Sequence, residues 1–209
     1  MRCLMCGRRI DPAGSWQELI QEEDLLCHDC RTQWLRRRGS FRIDGVRAHA
    51  VYEYGEAFSR CLIQYKECGD EALKDVFLYP VRHQLHRRYR GWTLLLMPSA
   101  PEKEQLRGFH TLPQIFACLD LPMMEPFEKA GGAEQKRLGR AGRMGMSHGI
   151  RLKPGIVLPE RCLLADDVIT TGSTIRGALA CMQRDHRRIE ILACACVAQG
   201  RKRKAAGTP

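Results

Sequence analysis

The chain has 209 residues, of which 44% are apolar and 28% are charged. This composition excludes a disordered, collagen-like or coiled-coil protein, and the length predicts either one ordinary domain with a small appendage or two small domains. Lys and Arg outnumber Asp and Glu by 34 to 24, and the resulting net charge of +10 favours anionic partners such as phosphates, nucleotides or nucleic acid. Because no apolar run approaches the length of a membrane-spanning helix and the first residues do not resemble a secretory signal, we expect no membrane insertion and a cytoplasmic location.

Four of the eleven cysteines form two CxxC pairs near the N-terminus, Cys3 with Cys6 and Cys27 with Cys30. Two residues between thiolates allow one tight turn to direct both sulfurs at a single tetrahedral ion. The spacing therefore predicts a structural Zn²⁺ site in a zinc-ribbon-like module over residues 1–38, and four thiolates leave no coordination position open for catalysis. His28 lies inside the second pair and is expected to be a bystander. The other seven cysteines mostly lie in apolar runs and are predicted to be small core residues.

The pattern changes after residue 39 to that of an α/β domain. Apolar residues alternate with polar ones in some segments and recur at helical spacing in others. The predicted elements are, in chain order, a strand at 46–52, helices at 56–66 and 70–85, a buried strand at 92–97 that ends at Pro98, and a helix at 108–118.

The second half of the chain predicts a parallel sheet. Residues 128–153 are polar, basic and rich in glycine, which is typical of a mobile flap rather than of a core element. Buried strands at 162–165 and 189–197 then flank a helix, and strand, helix, strand in this order predicts a parallel pair. We expect the α/β domain to cover 39–198 and to be followed by a basic disordered tail, 199–209.

The most informative segment is an apolar strand that runs into two carboxylates, Asp166 and Asp167, and then into a turn that opens a helix. Carboxylates at the end of a strand can accept hydrogen bonds from sugar hydroxyls, and ligands of open parallel sheets bind at that end. The turn offers backbone N–H groups and hydroxyls to a phosphate, and it contains neither a Walker A nor a GxGxxG pattern. Its predicted phosphate-binding residues are Thr170, Thr171, Gly172, Ser173 and Thr174.

These thirteen contiguous residues, Cys162 to Thr174, closely resemble the phosphoribosyl pyrophosphate (PRPP) motif of the type I phosphoribosyltransferases. With a CxxC module ahead of such a domain, nearly the whole chain resembles the ComF family of phosphoribosyltransferase-related bacterial proteins. Its other family-like pieces are Tyr52–Tyr54, Tyr65–Lys66, Met97–Pro98, Leu106–His110, and the flap residues Gln135, Leu138, Arg140 and Arg143.

The resemblance implies a type I phosphoribosyltransferase-like parallel sheet flanked by helices, and a site for PRPP or a nucleoside monophosphate. In such a site Asp166, Asp167 and Arg107 would be the catalytic residues, and Arg140 and Arg143 would close over the substrate from the flap. Mg²⁺ would accompany PRPP and offset charge on the leaving pyrophosphate.

Three details of the motif bear on activity. Thr170 stands where purine-salvage members of the fold have an aspartate, and a threonine cannot act as a carboxylate base, so purine-base salvage is disfavoured. His110 and Met146 replace residues that are common in the family. Whether the chain transfers a phosphoribosyl group is therefore left open.

A second interpretation is a non-catalytic adaptor or single-stranded-DNA-binding protein on the same scaffold. Its basis is three basic clusters, at 36–38, 82–90 and 201–204, whose side chains could contact phosphates while Tyr89 or Trp92 stacks on bases. The ComF resemblance favours this interpretation, because it implies a role in competence and DNA uptake with single-stranded DNA and proteins of the competence machinery as partners.

Overall fold

The computed structural model describes residues 1–10, 24–129, 149–182 and 187–197. The strands are β1 (Phe41–Ile43), β2 (Val46–Glu53), β3 (Thr93–Leu96), β4 (Met123–Met124), β5 (Phe127–Lys129), β6 (Ile150–Leu152), β7 (Arg161–Ile169) and β8 (Arg188–Cys196). The α-helices are α1 (His28–Thr32), α2 (Glu56–Glu67), α3 (Arg82–Arg88), α4 (Pro101–Arg107), α5 (Thr111–Phe116) and α6 (Ser173–Cys181). Short 3-10 helices cover Glu71–Val76, Tyr79–Val81 and Ala117–Leu119.

The main sheet has the strand order β1-β2-β8-β7-β3-β4. All neighbouring pairs are parallel except β1 and β2, which are antiparallel. The apolar runs at the centres of β7 and β8 are almost completely buried, as expected where helices cover both faces of a parallel sheet. The predicted α/β fold with a mostly parallel sheet flanked by helices is therefore confirmed.

The crossover from β7 through α6 to β8 matches the strand-helix-strand order of the sequence. Its helix buries Ile175 and Leu179, and Met182 just beyond its end is also buried. The two strands pair in parallel, from Arg161 opposite Arg188 to Ile169 opposite Cys196. Because parallel strands end at one edge of a sheet, this crossover fixes where the residues after Ala165 lie.

The N-terminal segment packs onto the α/β domain through Trp34. This indole is 3% exposed, and its ring lies 4.7 Å from the ring of Phe58 and 5.2 Å from that of Tyr52. Arg31 donates a hydrogen bond to the Val76 carbonyl oxygen at 2.9 Å and its guanidinium lies 4.7 Å from the Trp34 ring. The end of the proposed module is thus anchored in the main core.

Two predicted helices are wrong in extent. Residues 70–85 do not form one helix but two 3-10 helices followed by α3, since Pro80 has no backbone N–H to donate to a preceding turn. The helix predicted over 108–118 begins only at Thr111, because Gly108 adopts a left-handed conformation with a φ of 76° and ends α4.

Several expectations fall outside the described residues. They are the named residues of the predicted flap, Gln135, Leu138, Arg140, Arg143 and Met146, and the basic tail 199–209. In the part of the chain that the structure describes, no helix has the length and apolar character needed to cross a bilayer.

Candidate functional site

The two acidic residues lie at the carboxyl end of β7, beside the end of β3. The Met97 N–H donates to the Ala165 carbonyl oxygen at 3.0 Å, so the turn that begins at Pro98 starts next to Asp166. The Asp167 N–H donates to Asp166 Oδ1 at 2.9 Å, and this bond fixes the orientation of the first carboxyl. The acids therefore occupy the edge of the sheet where parallel folds bind ligands.

Lys66, at the end of α2, forms a close ion pair with Asp167. The side chains are only 19% and 14% exposed, so the pair is largely withdrawn from water. The sequence reasoning missed this contact, because Lys66 is 101 positions away in the chain and terminates an ordinary amphipathic helix. In the sequence, Lys66 stands out only as part of the family-like pair that it forms with Tyr65.

Asp166 is in a different electrostatic environment from its neighbour. Burial, and then the negative charge of Asp167, raise the pKa of Asp166 to about 8, although the Lys66 ammonium opposes the shift. The carboxyl of Asp166 is thus mostly protonated at and below neutral pH, while Asp167 is paired with the Lys66 ammonium. The two side chains can therefore interact with different groups of a ligand.

The turn after β7 has the geometry of an anion-binding helix start. Gly172 lies at the N-cap of α6 with a φ of 74°, a left-handed conformation that strains other residues, and a Cβ there would lie 3.4 Å from Ile43 Cδ1. Thr171 Oγ1 accepts a hydrogen bond from the Ser173 N–H at 3.3 Å. The Arg176 guanidinium donates to the Thr171 carbonyl oxygen at 2.5 Å. Thr170, Thr171 and Ser173 are exposed at this end of the helix, Thr174 is half-buried, and Gly172 is buried.

The acids and the end of this turn line an open cleft of about 220 Å³, which we call the site cleft. Its charged side chains are four cations against two carboxyls, which favours an anionic ligand. Its lining residues are Lys66, Met97, Pro98, Ser99, Ala100, Lys103, Arg107, Leu112, Lys129, Asp166, Asp167, Val168 and Thr174. The structure thus brings Arg107 to the predicted acids and adds Lys129 of β5, which the sequence reasoning did not single out.

Arg107 is held deep in the wall of the site cleft. Its side chain is 8% exposed, and Nη2 donates to Glu67 Oε1 at 2.6 Å. Among the described residues, its buried Nε has no hydrogen-bond partner. A buried cation with an unused donor is costly without an acceptor, which a phosphate oxygen could supply.

The pKa of Asp166 predicts a pH dependence of stability. Its pKa is raised in the folded state, so the folded protein retains the proton more tightly than the unfolded chain, and stability should fall as pH rises from about 4 to about 8. We expect Asp166→Asn to raise the melting temperature above pH 4, by roughly 2–4 °C for each kcal/mol of penalty removed, and to flatten this decline. Thermal melts at closely spaced pH values measure the difference in melting temperature between the variant and the wild type, with Asp120→Asn at an exposed position as control. A Tm difference that does not vary between pH 4 and 9 would contradict the assignment.

The second cluster is formed by Cys3, Cys6, Cys27 and Cys30, whose sulfurs all lie within 4.8 Å of one another. The Cys6 and Cys27 sulfurs are 3.7 Å apart. Each CxxC pair sits on a tight turn, closed by the Gly7 N–H to the Cys3 carbonyl oxygen at 2.9 Å and by the Cys30 N–H to that of Cys27 at 3.1 Å. Four sulfurs at this separation could hold a metal ion such as zinc.

The four thiols do not ionise alike. Burial opposes ionisation of Cys3, but hydrogen bonds from the backbone of Cys27, Cys6 and Met5 outweigh it and lower the pKa of Cys3 to about 7. Burial and hydrogen bonds to the other three sulfurs raise the pKa of Cys30. A thiol that ionises near neutral pH gives an arriving cation its first ligand, and the later thiols lose their protons as the cation binds.

A basic surface lies at the opposite edge of the sheet, where the parallel strands begin. Arg161 and Arg188 are direct neighbours on β7 and β8. Beside them, an open groove of about 340 Å³ is lined by Arg42, Arg47 and Arg187 together with Glu190. We call these five arginines the basic edge.

The basic cluster at 82–90 is only partly available to a partner. Tyr89 is 1% exposed and packs against Trp92, so the expectation that Tyr89 stacks on bases is wrong. Its burial follows from the apolar spacing of α3, which directs Leu85 and the following Tyr89 into the core. Arg88 Nη2 lies 3.7 Å from Glu190 Oε2, and the Arg82 guanidinium lies 3.4 Å from the Tyr79 ring.

Comparison with known proteins identifies two curated relatives, both named Competence protein ComFC. That of Streptococcus pneumoniae is 24% identical over 199 residues, which is 84% of this chain and 90% of the relative. That of Bacillus subtilis is 25% identical over 182 residues, which is 86% of this chain and 70% of the relative. No protein-family model matches the chain.

Among solved structures, adenine phosphoribosyltransferase from Leishmania donovani is similar over 95% of this chain and 89% of its own, with 14% identity and a TM-score of 0.29. A likeness of that size adds nothing to the strand order and site geometry described above. The two ComFC relatives, each matched over most of its length and most of this one, support the ComF family as the family of this chain.

Proposed function

We propose that this chain binds a phosphoribosyl ligand, PRPP or a nucleoside monophosphate, in the site cleft. The observation that carries the proposal is the acid pair near the end of β7, which continues for two residues into a glycine-capped turn, together with the four cations that line the same cleft. Ribose hydroxyls can donate to the carboxylates while the 5′-phosphate accepts hydrogen bonds from the turn. The Asp166, Asp167 and Thr174 assignments rest on this geometry together with the resemblance. Thr170, Thr171, Gly172 and Ser173 do not line the site cleft, and their assignment rests on the resemblance and on their place in the turn.

The opposite wall suits a pyrophosphate group. The turn at Pro98–Ala100 is flanked by Lys103 and Arg107, and Mg²⁺ would enter with PRPP rather than as a resident ion. If pyrophosphate leaves C1 of the ribose, positive charge develops on the sugar and negative charge on the leaving group, which these side chains would offset. The cleft thus has the charges that transfer requires, although ligand binding by itself needs no transfer step.

We further propose that the N-terminal cluster holds one structural Zn²⁺ within a module over residues 1–38, attached to a phosphoribosyltransferase-like domain over 39–198. Four sulfurs complete a closed tetrahedral site, so the ion would stabilise the fold and take no part in phosphoribosyl chemistry.

The test of the proposed function is calorimetric titration of the full chain with PRPP and Mg²⁺, and separately with a nucleoside monophosphate. We expect saturable binding at one site per chain and, for a ligand at about 100 times its Kd, stabilisation by about 2.7 kcal/mol in thermal melts. Inorganic phosphate with Mg²⁺ is the control, because it engages the turn without the carboxylates. Absence of heat and of thermal stabilisation with both ribose ligands would exclude the proposal.

A second candidate function is binding of single-stranded DNA, and the basic edge favours it. Exposed arginines on adjacent strands can follow a phosphate backbone without reading its sequence. The relatives named as competence proteins point to the same partner class and to a role beside the DNA-uptake machinery.

Charge removal at the basic edge tests this second function. We expect Arg47→Gln with Arg188→Gln to weaken binding of all single-stranded oligonucleotides alike, and to make the slope of log affinity against log salt shallower by about 0.7 for each phosphate that is no longer neutralised. PRPP binding should be unaffected, because the site cleft lies at the other end of the strands. If DNA affinity and its salt slope stay at wild-type values, the basic edge is only a solvated surface.

A further inference from the structure

The end of α2 carries two adjacent charged residues that reach different walls of the site cleft. Lys66 pairs with Asp167 on β7, and Glu67 pairs with Arg107 at the end of α4. The two contacts span 101 and 40 positions of the chain, so they form only in the folded protein. One helix end therefore joins the acidic wall of the cleft to its basic wall.

The Lys66 contact is too buried to be an ordinary surface ion pair. Exposed pairs contribute little, whereas removing one partner of a buried pair leaves an uncompensated charge. With its side chain 14% exposed, Asp167 is oriented by the Lys66 ammonium, the one side-chain hydrogen-bond partner that it has among the described residues. Its neighbour Asp166, in contrast, retains its proton.

In the contact between Glu67 and Arg107, the acid is exposed and the cation is buried. Glu67 is 58% exposed, while the Arg107 side chain is 8% exposed. The guanidinium also lowers the pKa of Glu67 through their hydrogen bond. Glu67 therefore orients a buried cation from the solvent side, and the buried Arg107 Nε has no hydrogen-bond partner among the described residues.

We propose that Lys66 is a positioning residue of the phosphoribosyl site, holding Asp167 as an oriented acceptor for the ribose hydroxyls. Glu67 performs the corresponding role for Arg107, so that the end of α2 sets the distance between the ribose side and the pyrophosphate side of the ligand. The inference rests on the proposed function.

Other groups around Asp167 do not replace Lys66. Lys103 and Lys129 line the same cleft without a hydrogen bond to the carboxylate in the described residues. Tyr65 and Cys194 lie near enough to feel its charge, but burial raises the pKa of each, and neither supplies a positive charge. Asp166 is a further neighbour, but it cannot stabilise a negative charge on Asp167, because its own ionisation would repel that charge.

The experiment compares Lys66→Met, Lys66→Arg and the control Arg60→Met by calorimetric titration with PRPP and Mg²⁺. Arg60 is on the same helix and pairs with Glu56 at 3.0 Å on an exposed surface. We expect Lys66→Met to weaken PRPP binding about 10- to 100-fold, the effect of losing a charge-assisted hydrogen bond. Lys66→Arg should restore affinity to within a few-fold, and Arg60→Met should match the wild type.

A double-mutant cycle with Asp167→Asn separates positioning from direct contact. If Lys66 acts through Asp167, Lys66→Met should have little further effect on PRPP affinity once Asp167 is already replaced. Additive losses would overturn the inference, as would unchanged affinity in Lys66→Met, or a failure of Lys66→Arg to restore binding while its melting temperature is normal. Absence of PRPP binding by the wild type would instead overturn the proposed function, and the inference with it.

Discussion

Replacing both carboxylates, with Asp166→Asn and Asp167→Asn in one chain, should abolish binding of PRPP and of a nucleoside monophosphate. A charge-assisted hydrogen bond from a ribose hydroxyl to Asp167 contributes roughly 1.5–3 kcal/mol and an ordinary one to the protonated Asp166 about 0.5–1.5 kcal/mol, so loss of both should weaken binding at least about 30-fold. Asparagine keeps the volume and one acceptor oxygen of each side chain, so the effect is electrostatic rather than steric. Calorimetric titration with both ligands measures it.

The same variant should remain folded. It loses the ion pair of Asp167 with Lys66 but also loses the burial penalty of Asp166, so the two changes in the free energy of unfolding oppose each other. Circular dichroism and thermal melts establish the fold, and Asp120→Asn is the matched control on an exposed loop. Wild-type affinity in the folded double variant would place the ligand outside the site cleft.

The second large effect is expected at the cysteine cluster. Protein purified without added metal should contain one zinc per chain, and Cys27→Ser should release it. A serine hydroxyl does not supply the thiolate ligand, and the segment between the CxxC pairs is too short to form a core of its own. Metal analysis gives the stoichiometry, and proteolysis of the N-terminal segment reports its loosening.

Cys68→Ser is the control for this experiment, because Cys68 is exposed and lies outside the cluster. It should leave the zinc content at one per chain. Well-folded wild-type protein with a zinc content near zero would exclude the metal site. Zinc that persists in Cys27→Ser would show that other ligands hold the ion.

Zinc loss should leave the sheet intact but affect the contacts beside it. Arg31 follows the second CxxC pair directly and joins it to Asp24 by two hydrogen bonds of 2.6 Å and to the Val76 carbonyl oxygen. Trp34 then enters the main core. We therefore expect the fluorescence of the zinc-free variant to change, since burial of this indole depends on the preceding turn.

The sequence by itself predicted the features that depend only on short segments of the chain. A CxxC pair is a local turn, and the strand, acid and glycine order around Asp166 to Gly172 is a local strand-to-helix connection, so neighbouring residues determine both. The parallel sheet followed for the same reason, because long apolar strands on either side of a helix have few other arrangements. Helix ends were less predictable, as Pro80 and Gly108 showed, because one residue can stop a helix whose spacing continues.

Only the tertiary structure decided how the site is charged. Nothing near Lys66 or Glu67 in the chain indicates that these residues meet Asp167 and Arg107, since such contacts depend on how α2 and α4 pack beside β7. The same packing buries Tyr89, which the sequence alone allowed to be a base-stacking residue. Local pattern specifies elements and tight turns, whereas burial and charge pairing are properties of surfaces that come together only on folding, and they raise the pKa of Asp166 and pair Asp167 with Lys66.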